Sequence, residues 1–262
     1  MLIRGFQGFT CPKDRFVKGK IMLTIVMSFL IILFASTIQG MTSFGFSLIA
    51  VPLLGIFLPL KDFVPMLVLY SFIMGLGLYI KLPGKCNKKR ILILAISGLS
   101  STFFGIYMLK FVDNSILKLV VGLVILISSI LMLFGIRIKV KVKILGDIIA
   151  GVASGFLNGS VSLSGPPIIL LLSNEDTEKE TFRKTLTTYF LLLNLISLPM
   201  FFLNGLLTWD IALRSLISLP ALLAGMFLGL IIGNKISDGH FKKLTLGLIF
   251  ILGIMSILSA IL

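Results

Sequence analysis

Apolar residues run along this chain in long blocks rather than in the alternation of a half-buried strand or the stripe of a surface helix. The blocks cover 21–39, 46–60, 63–82, 91–109, 115–136, 144–172, 182–203, 209–233 and 241–262, with short polar loops between them. A helix needs about 20 apolar residues to cross the hydrocarbon core of a bilayer, and most of the blocks are close to that length. Only structures that satisfy every backbone N–H and C=O internally can cross. The pattern therefore predicts an all-α, polytopic transmembrane helix bundle of about 8–10 spans. Two blocks are irregular. Block 46–60 is short and holds Pro52; block 144–172 is too long for one span and is interrupted by Gly, Ser and Pro at 159–167. Both places predict broken or re-entrant half-helices.

Composition agrees with this pattern. Hydrophobic residues make up 57% of the chain and charged residues 13%, against roughly 25% charged in a soluble domain, too few to cover a water-facing surface. The net charge is +14, which in a soluble protein would point to nucleic acid. Here the cations sit in short loops, nine of them in 81–90 and 137–143. That is the pattern of cytoplasmic loops in a multi-pass protein of the cell membrane, and no nucleic-acid partner is expected. Cys11 and Cys86 lie in basic loops with no metal-ligand spacing, and His240 is the single histidine, so neither a disulfide framework nor a metal site nor any other cofactor is expected. The polar stretch 1–20 before the apolar block 21–39 has the look of a signal peptide. The length of the block and the absence of a small-x-small site favour a basic tail followed by a retained span, with Met22 as an alternative start.

The chain also resembles itself. Gly40 precedes Pro52 at the spacing with which Gly155 precedes Pro167. Asp113, Lys118, Leu119 and Gly122 recur as Asp238, Lys243, Leu244 and Gly247, and Tyr70 and Tyr189 fall between these anchors. The common order predicts a tail at 1–20, a first transmembrane repeat at 21–136, a basic linker at 137–143 and a second repeat at 144–262. Duplicated membrane halves that enclose a site are a recurring transporter plan. Whether the halves run parallel or inverted is open at this stage, as are the side of the N-terminus and the oligomeric state.

The chemistry is expected where the blocks break. The first break reads Gln39-Gly40-Met41-Thr42-Ser43-Phe44-Gly45-Phe46-Ser47, and the second runs from Gly155 through Asn158-Gly159-Ser160-Val161-Ser162-Leu163-Ser164-Gly165 to Pro166-Pro167. Pro in a first helical turn gives up an N–H that would be unpaired anyway, so Ser164-Gly165-Pro166-Pro167 reads as the start of a half-helix. Irregular backbone inside a membrane must be buried in protein or line a wet cavity. A helix N-terminus offers N–H groups and partial positive charge to an anion. Gln39, Gly40, Thr42, Ser43, Gly45, Asn158, Gly159, Ser160, Ser162, Ser164, Gly165 and Pro166 are the candidate substrate-binding residues from these segments. Asn194 is the best polar candidate within a span. The bland alternative is that small residues let helices pack closely; two such stretches at matching places favour a site. Arg183 and Lys184, at the head of a span, read as cations that snorkel to the interface, with attraction of an anion to a vestibule as the other reading. Tyr70, Tyr79, Tyr107 and Trp209 read as interfacial anchors.

The strings GVASGFLNGSVSLSGPPIILLL, FRKTLTTYFLLLNLISLPMFFLNGLLTWDIA and GLIIGNKISDGHFKKLTLGLIFILG resemble the TauE/SafE sulfite-exporter-like family. STIQGMTSFGFSLIAVPLLG and LKFVDNSILKLVVGLVIL match it less closely. The glycine-rich cores of the family read Thr-Ser-Phe-Gly at 42–45 and Ser-Leu-Ser-Gly at 162–165 here, and its Thr-Ser pair reads Thr187-Thr188, which adds Thr188 to the candidate site. The resemblance implies export of a small anion such as sulfite, an organosulfonate or a related organic anion. The alternatives are a permease for another small solute, an amino acid or a metal cation, and a non-transport membrane subunit. An intramembrane enzyme is disfavoured, because H-E-x-x-H, G-x-S-x-G and paired intramembrane Asp are all missing. No Asp or Glu falls in mid-span, which argues against a carboxylate proton relay.

Overall fold

The computed structural model describes residues 12–133, 142–173 and 178–233, and every regular element among them is a helix. In chain order these are α1 (Pro12–Thr42), α2 (Phe46–Gly55), α3 (Leu60–Lys81), α4 (Lys88–Phe111), α5 (Asn114–Leu133), α6 (Lys143–Val161), α7 (Gly165–Ser173), α8 (Lys179–Leu203), α9 (Trp209–Ser215) and α10 (Leu219–Gly233). Among the described residues six stretches are long and apolar enough to cross a membrane: Met22–Thr42, Leu60–Lys81, Lys88–Phe111, Lys143–Val161, Glu180–Leu203 and Trp209–Gly233. Several expectations fall outside the described residues: the first residues of the basic tail, linker positions 137–141, the acidic residues Glu175 and Asp176, His240, and the whole 238–247 copy of the Asp-Lys-Gly string.

Both predicted breaks are present. Block 46–60 becomes the ten-residue α2, and block 144–172 divides into α6 and the nine-residue α7, which begins at Gly165. At 1.5 Å per residue each short helix covers about half a bilayer. Block 209–233 differs from expectation: a 3-10 turn, Leu216–Ser218, separates α9 from α10. Pro220, in the first turn of α10, has no N–H and its ring crowds the carbonyl four residues back, which favours a kink or break at this place.

Contacts at the helix ends fix the directions. Lys184 at the start of α8 donates to Tyr79 O (2.7 Å) and Leu82 O (3.1 Å) at the end of α3, while Lys110 near the end of α4 donates to Asn204 O just after α8. Asn114 at the start of α5 accepts from Leu60 N at the start of α3 (2.9 Å). Glycine contacts pair α1 with α10 in parallel, Ser36 beside Gly225 and Met41 beside Gly233, and α4 with α6 in parallel, Leu94 beside Gly151 and Gly105 beside Gly159. So α1, α3, α5 and α10 run toward the face that carries the 81–90 loop, and α4, α6 and α8 run away from it. The start of α1 lies on the opposite face, a point the sequence left open. Loop 81–90 and the start of α6 share one face, as expected, and are tied by Arg90 Nη2 to Asp147 Oδ1 at 2.8 Å.

Glycine and hydroxyl residues make the two tightest seams. Ser101 Oγ donates to Val152 O (2.7 Å) and Thr102 Oγ1 to Gly155 O (3.1 Å) across α4 and α6. Small side chains let the two backbones come close enough for these bonds, a common device between membrane helices. The core between the helices is apolar, with Phe46, Phe63, Leu67, Tyr70, Met74, Tyr189 and Phe201 fully buried. The outer surface is apolar as well: Ile96, Phe103, Phe104, Leu123, Ile127, Leu216 and Ile231 are all exposed. In water such a surface would be an aggregation liability; in lipid it is the natural one. Trp209, Tyr79 and Tyr107 are exposed as anchors would be, but Tyr70 is fully buried and donates to Ser215 O at 2.6 Å. Its phenol found a backbone partner inside the bundle, which a count of aromatics cannot reveal.

Candidate functional site: a polar cavity between two helix breaks

Each break turns on a serine in the left-handed region, Ser43 at φ 68° and Ser162 at φ 60°. This backbone region disfavours a residue with a Cβ, by roughly 1–2 kcal/mol, so the surroundings must hold it. At the second break Ser162 N donates to Asn158 O, the 5→1 bond of an αL-type helix ending, and Leu163 N reaches back to Leu157 O. Ser154 Oγ then donates to Ser164 O (2.6 Å) and Tyr189 OH to Ser154 Oγ (2.9 Å), which pins the turn to α8. At the first break Ser43 N donates to Gln39 O, Thr42 Oγ1 bonds Phe44 O, and Gly45 takes φ 103°, a conformation glycine adopts without strain.

The buried Arg183 completes the first break. Its Nη2 donates to Gly40 O (2.9 Å) and its Nε to Ser43 Oγ (3.0 Å), so a cation caps the carbonyl end of α1, where the helix dipole is negative. The expectation that Arg183 snorkels to the interface is corrected: it is only 7% exposed and is turned inward. Lys184 does the same for α3 from the neighbouring position, with Nζ also 3.9 Å from the Tyr79 ring centre.

The two breaks meet. Ser47 Oγ and Ser162 Oγ stand 3.2 Å apart. Beside them is a cavity of about 30 Å³ lined by Gln39, Phe44, Gly45, Ser47, Leu48, Ser71, Ser162, Leu163, Ser164, Gly165, Phe190 and Asn194, room for about two water positions in this shape. Gln39 Oε1 accepts from Phe46 N (3.2 Å), so the donor end of Gln39 is what it can offer a ligand. Asn194 is handled alike: its Oδ1 accepts from Asn158 Nδ2 (3.3 Å), and Asn158 Nδ2 also donates to Ser197 Oγ (3.2 Å). These assignments orient two amide N–H₂ groups for an acceptor. The α7 N-terminus contributes less than its position promises, because Pro166 and Pro167 have no N–H and only Gly165 offers one in the first three residues. No Asp, Glu, Lys, Arg or His is among the lining residues. Among the described residues, the cavity lining combines hydroxyls and amides with the apolar Phe44, Leu48, Leu163 and Phe190.

Of the candidate residues, Gln39, Gly45, Ser162, Ser164, Gly165 and Asn194 come together at the cavity. Asn158 stands behind Asn194 and orients it. The others have different places. A Cβ on Gly40 would meet the α10 backbone and one on Gly159 the α4 backbone, so both serve helix packing. Thr42 closes the turn, Ser43 accepts from Arg183, and Ser160 and Thr188 donate to their own helix at Phe156 O and Lys184 O. Pro166 faces an apolar groove between α5, α6 and α7. Sequence reasoning left out Ser47, Ser71 and Phe190. Ser47 lay in the quoted motif, Ser71 follows the repeat anchor Tyr70, and Phe190 carried no signal among its apolar neighbours.

Membrane-length helices around a buried polar cavity, with two helices broken at that cavity, define a polytopic membrane transporter. The chain belongs to the Sulfite exporter TauE/SafE family, whose family model matches residues 28–256. Neither a curated protein nor a solved structure gave a match.

Proposed function

We propose that the protein moves a small sulfur oxyanion, such as sulfite or a small organosulfonate, across the cell membrane, outward from the cytoplasm, and holds it between the two breaks. The observation that carries this reading is the meeting of Ser47 and Ser162 across the breaks, at a cavity whose ligands are hydroxyls and amide donors with no carboxylate among them. Donors without carboxylates favour an anion over a metal cation. The face that bears loop 81–90 is the cytoplasmic one on this reading.

The two halves are read as an inverted duplication. α1 and α6, α3 and α8, and α4 and α10 correspond, and each pair runs in opposite directions. One interval relates Gln39 to Asn158, Ser43 to Ser162 and Tyr70 to Tyr189. It is one helical turn longer than the Gly40–Gly155 spacing, so the equivalence runs through the turn serines rather than the glycines. Inverted halves give a carrier two similar shapes, one open to each side, around a fixed midplane site.

Thermal unfolding of the purified protein with added solutes tests the substrate class, because a ligand that binds only the folded state raises stability by mass action. Sulfite at about a hundred times its dissociation constant is expected to add about 2.7 kcal/mol, with smaller gains from bulkier sulfonates. Stabilisation by a neutral amino acid or a divalent cation, with none from any small anion, would replace this reading with the other permease.

A further inference from the structure

One buried group is not explained by packing or by the cavity. Thr187 is 2% exposed, and its Oγ1 is the buried side-chain polar atom that has no hydrogen-bond partner among the described residues. A threonine inside a helix ordinarily bonds back to a carbonyl one turn earlier, as its neighbour Thr188 does to Lys184 O at 2.7 Å. A buried unpaired hydroxyl costs free energy and calls for an account. Its position supplies one. Residues 183, 187, 190 and 194 follow one another at helical spacing and share one face of α8. Phe190 and Asn194 line the cavity, and Arg183 grips Gly40 O and Ser43 Oγ where α1 ends. Thr187 thus stands one turn from the buried cation and two turns from Asn194, with Phe190 between it and the cavity.

We propose that Thr187 is a second, transient anion position on the route between the cavity and the basic face, one helical turn inside Arg183. This rests on the anion-transporter reading above. When the breaks shift, the Thr187 hydroxyl donates to the passing anion, Phe190 acts as the shutter on the cavity side, and Arg183 exchanges a bond to Gly40 O for one to the anion. The stripe serves translocation and not affinity at the cavity.

The test uses Thr187→Val, which keeps the shape and removes the hydroxyl, Thr187→Ser, which restores it, and Thr187→Cys in a protein whose Cys11 and Cys86 are serine. Sulfite binding is read by thermal stabilisation and sulfite flux in proteoliposomes. The valine variant is expected to keep sulfite affinity within about twofold and to lose about tenfold in flux, the loss of one charge-assisted bond on the way; the serine variant should recover most of it. Thr187→Cys is expected to react with an anionic methanethiosulfonate added from the basic face, and methanesulfonate, a small organosulfonate that does not attack the reagent, should slow the reaction. Wild-type flux in the valine variant, or a cysteine there that the reagent does not reach, overturns the proposal. Labelling needs no identified substrate, so a wild-type protein that neither binds nor moves sulfite counts against the substrate reading alone, while normal sulfite transport with silent Thr187 variants counts against this inference alone.

Discussion

Alanine at Gly155 is expected to cost the protein its α4–α6 seam. A Cβ there would overlap Gly98 O and the Gly98 carbonyl carbon, with Ser101 Oγ also in its way. Two of these three atoms are backbone in a helix that is itself held by Ser101 and Thr102 to α6, so no side chain can swing aside. Overpacking typically costs about 1–3 kcal/mol, and a clash of backbone with backbone belongs at or above the top of that range. The expected result is a large fall in thermal midpoint and in the yield of monodisperse protein in detergent. Gly165→Ala is the matched control. Its nearest neighbour is the flexible end of Ile169 at 3.2 Å and its φ is not positive, so its loss of stability should stay within about 1 kcal/mol. Equal stability of Gly155→Ala and the wild type would mean that the two helices do not pack as described.

The second large effect is electrical. Among the described residues that line the cavity there is no carboxylate, and the buried Asp147 is paired with Arg90 at the basic face, away from that lining. On the proposed anion reading no acid beside the substrate carries a proton, and the charge that crosses is the anion's own. A potential of 100 mV then supplies about 2.3 kcal/mol per charge, about a fiftyfold concentration ratio for a monoanion. Proteoliposomes clamped by a potassium gradient and valinomycin should build a sulfite gradient of that order, toward the positive side, and reversing the potential should reverse it. A flux that ignores the potential and follows a pH gradient would identify a proton-coupled carrier.

Much of this arrangement was legible in the sequence because the bilayer imposes a length and a solvent on each helix. Blocks of apolar residues located the spans, and Ser164-Gly165-Pro166-Pro167 located the start of α7. The breaks were legible because Ser and Gly runs interrupt otherwise apolar blocks. What the sequence could not separate is the two uses of a small residue. Gly40 and Gly159 pack helices while Gly45 turns the chain at φ 103°, and nothing in composition distinguishes them. Arg183 misled for a related reason: a cation at a helix head has two places to go, and the carbonyl end of α1 that draws it inward lies far away in sequence. Asn194 was legible as a polar group in an apolar span, but its orientation depends on Asn158, a contact between different helices. Phe190 was silent because an aromatic ring among leucines looks the same whether it walls a cavity or fills a core.

On the proposed reading the space between the two breaks, lined by Asn194 and Ser164 among others, holds a small anion. Calorimetric titration of sulfite into the wild type and into a Ser164→Ala, Asn194→Ala double variant tests it most directly. Each charge-assisted hydrogen bond is worth roughly 1.5–3 kcal/mol, so the variant should fold, keep its thermal midpoint to within a few degrees, and bind sulfite at least about a hundredfold more weakly. A folded variant that binds sulfite with wild-type affinity would contradict the claim and place the anion elsewhere in the bundle.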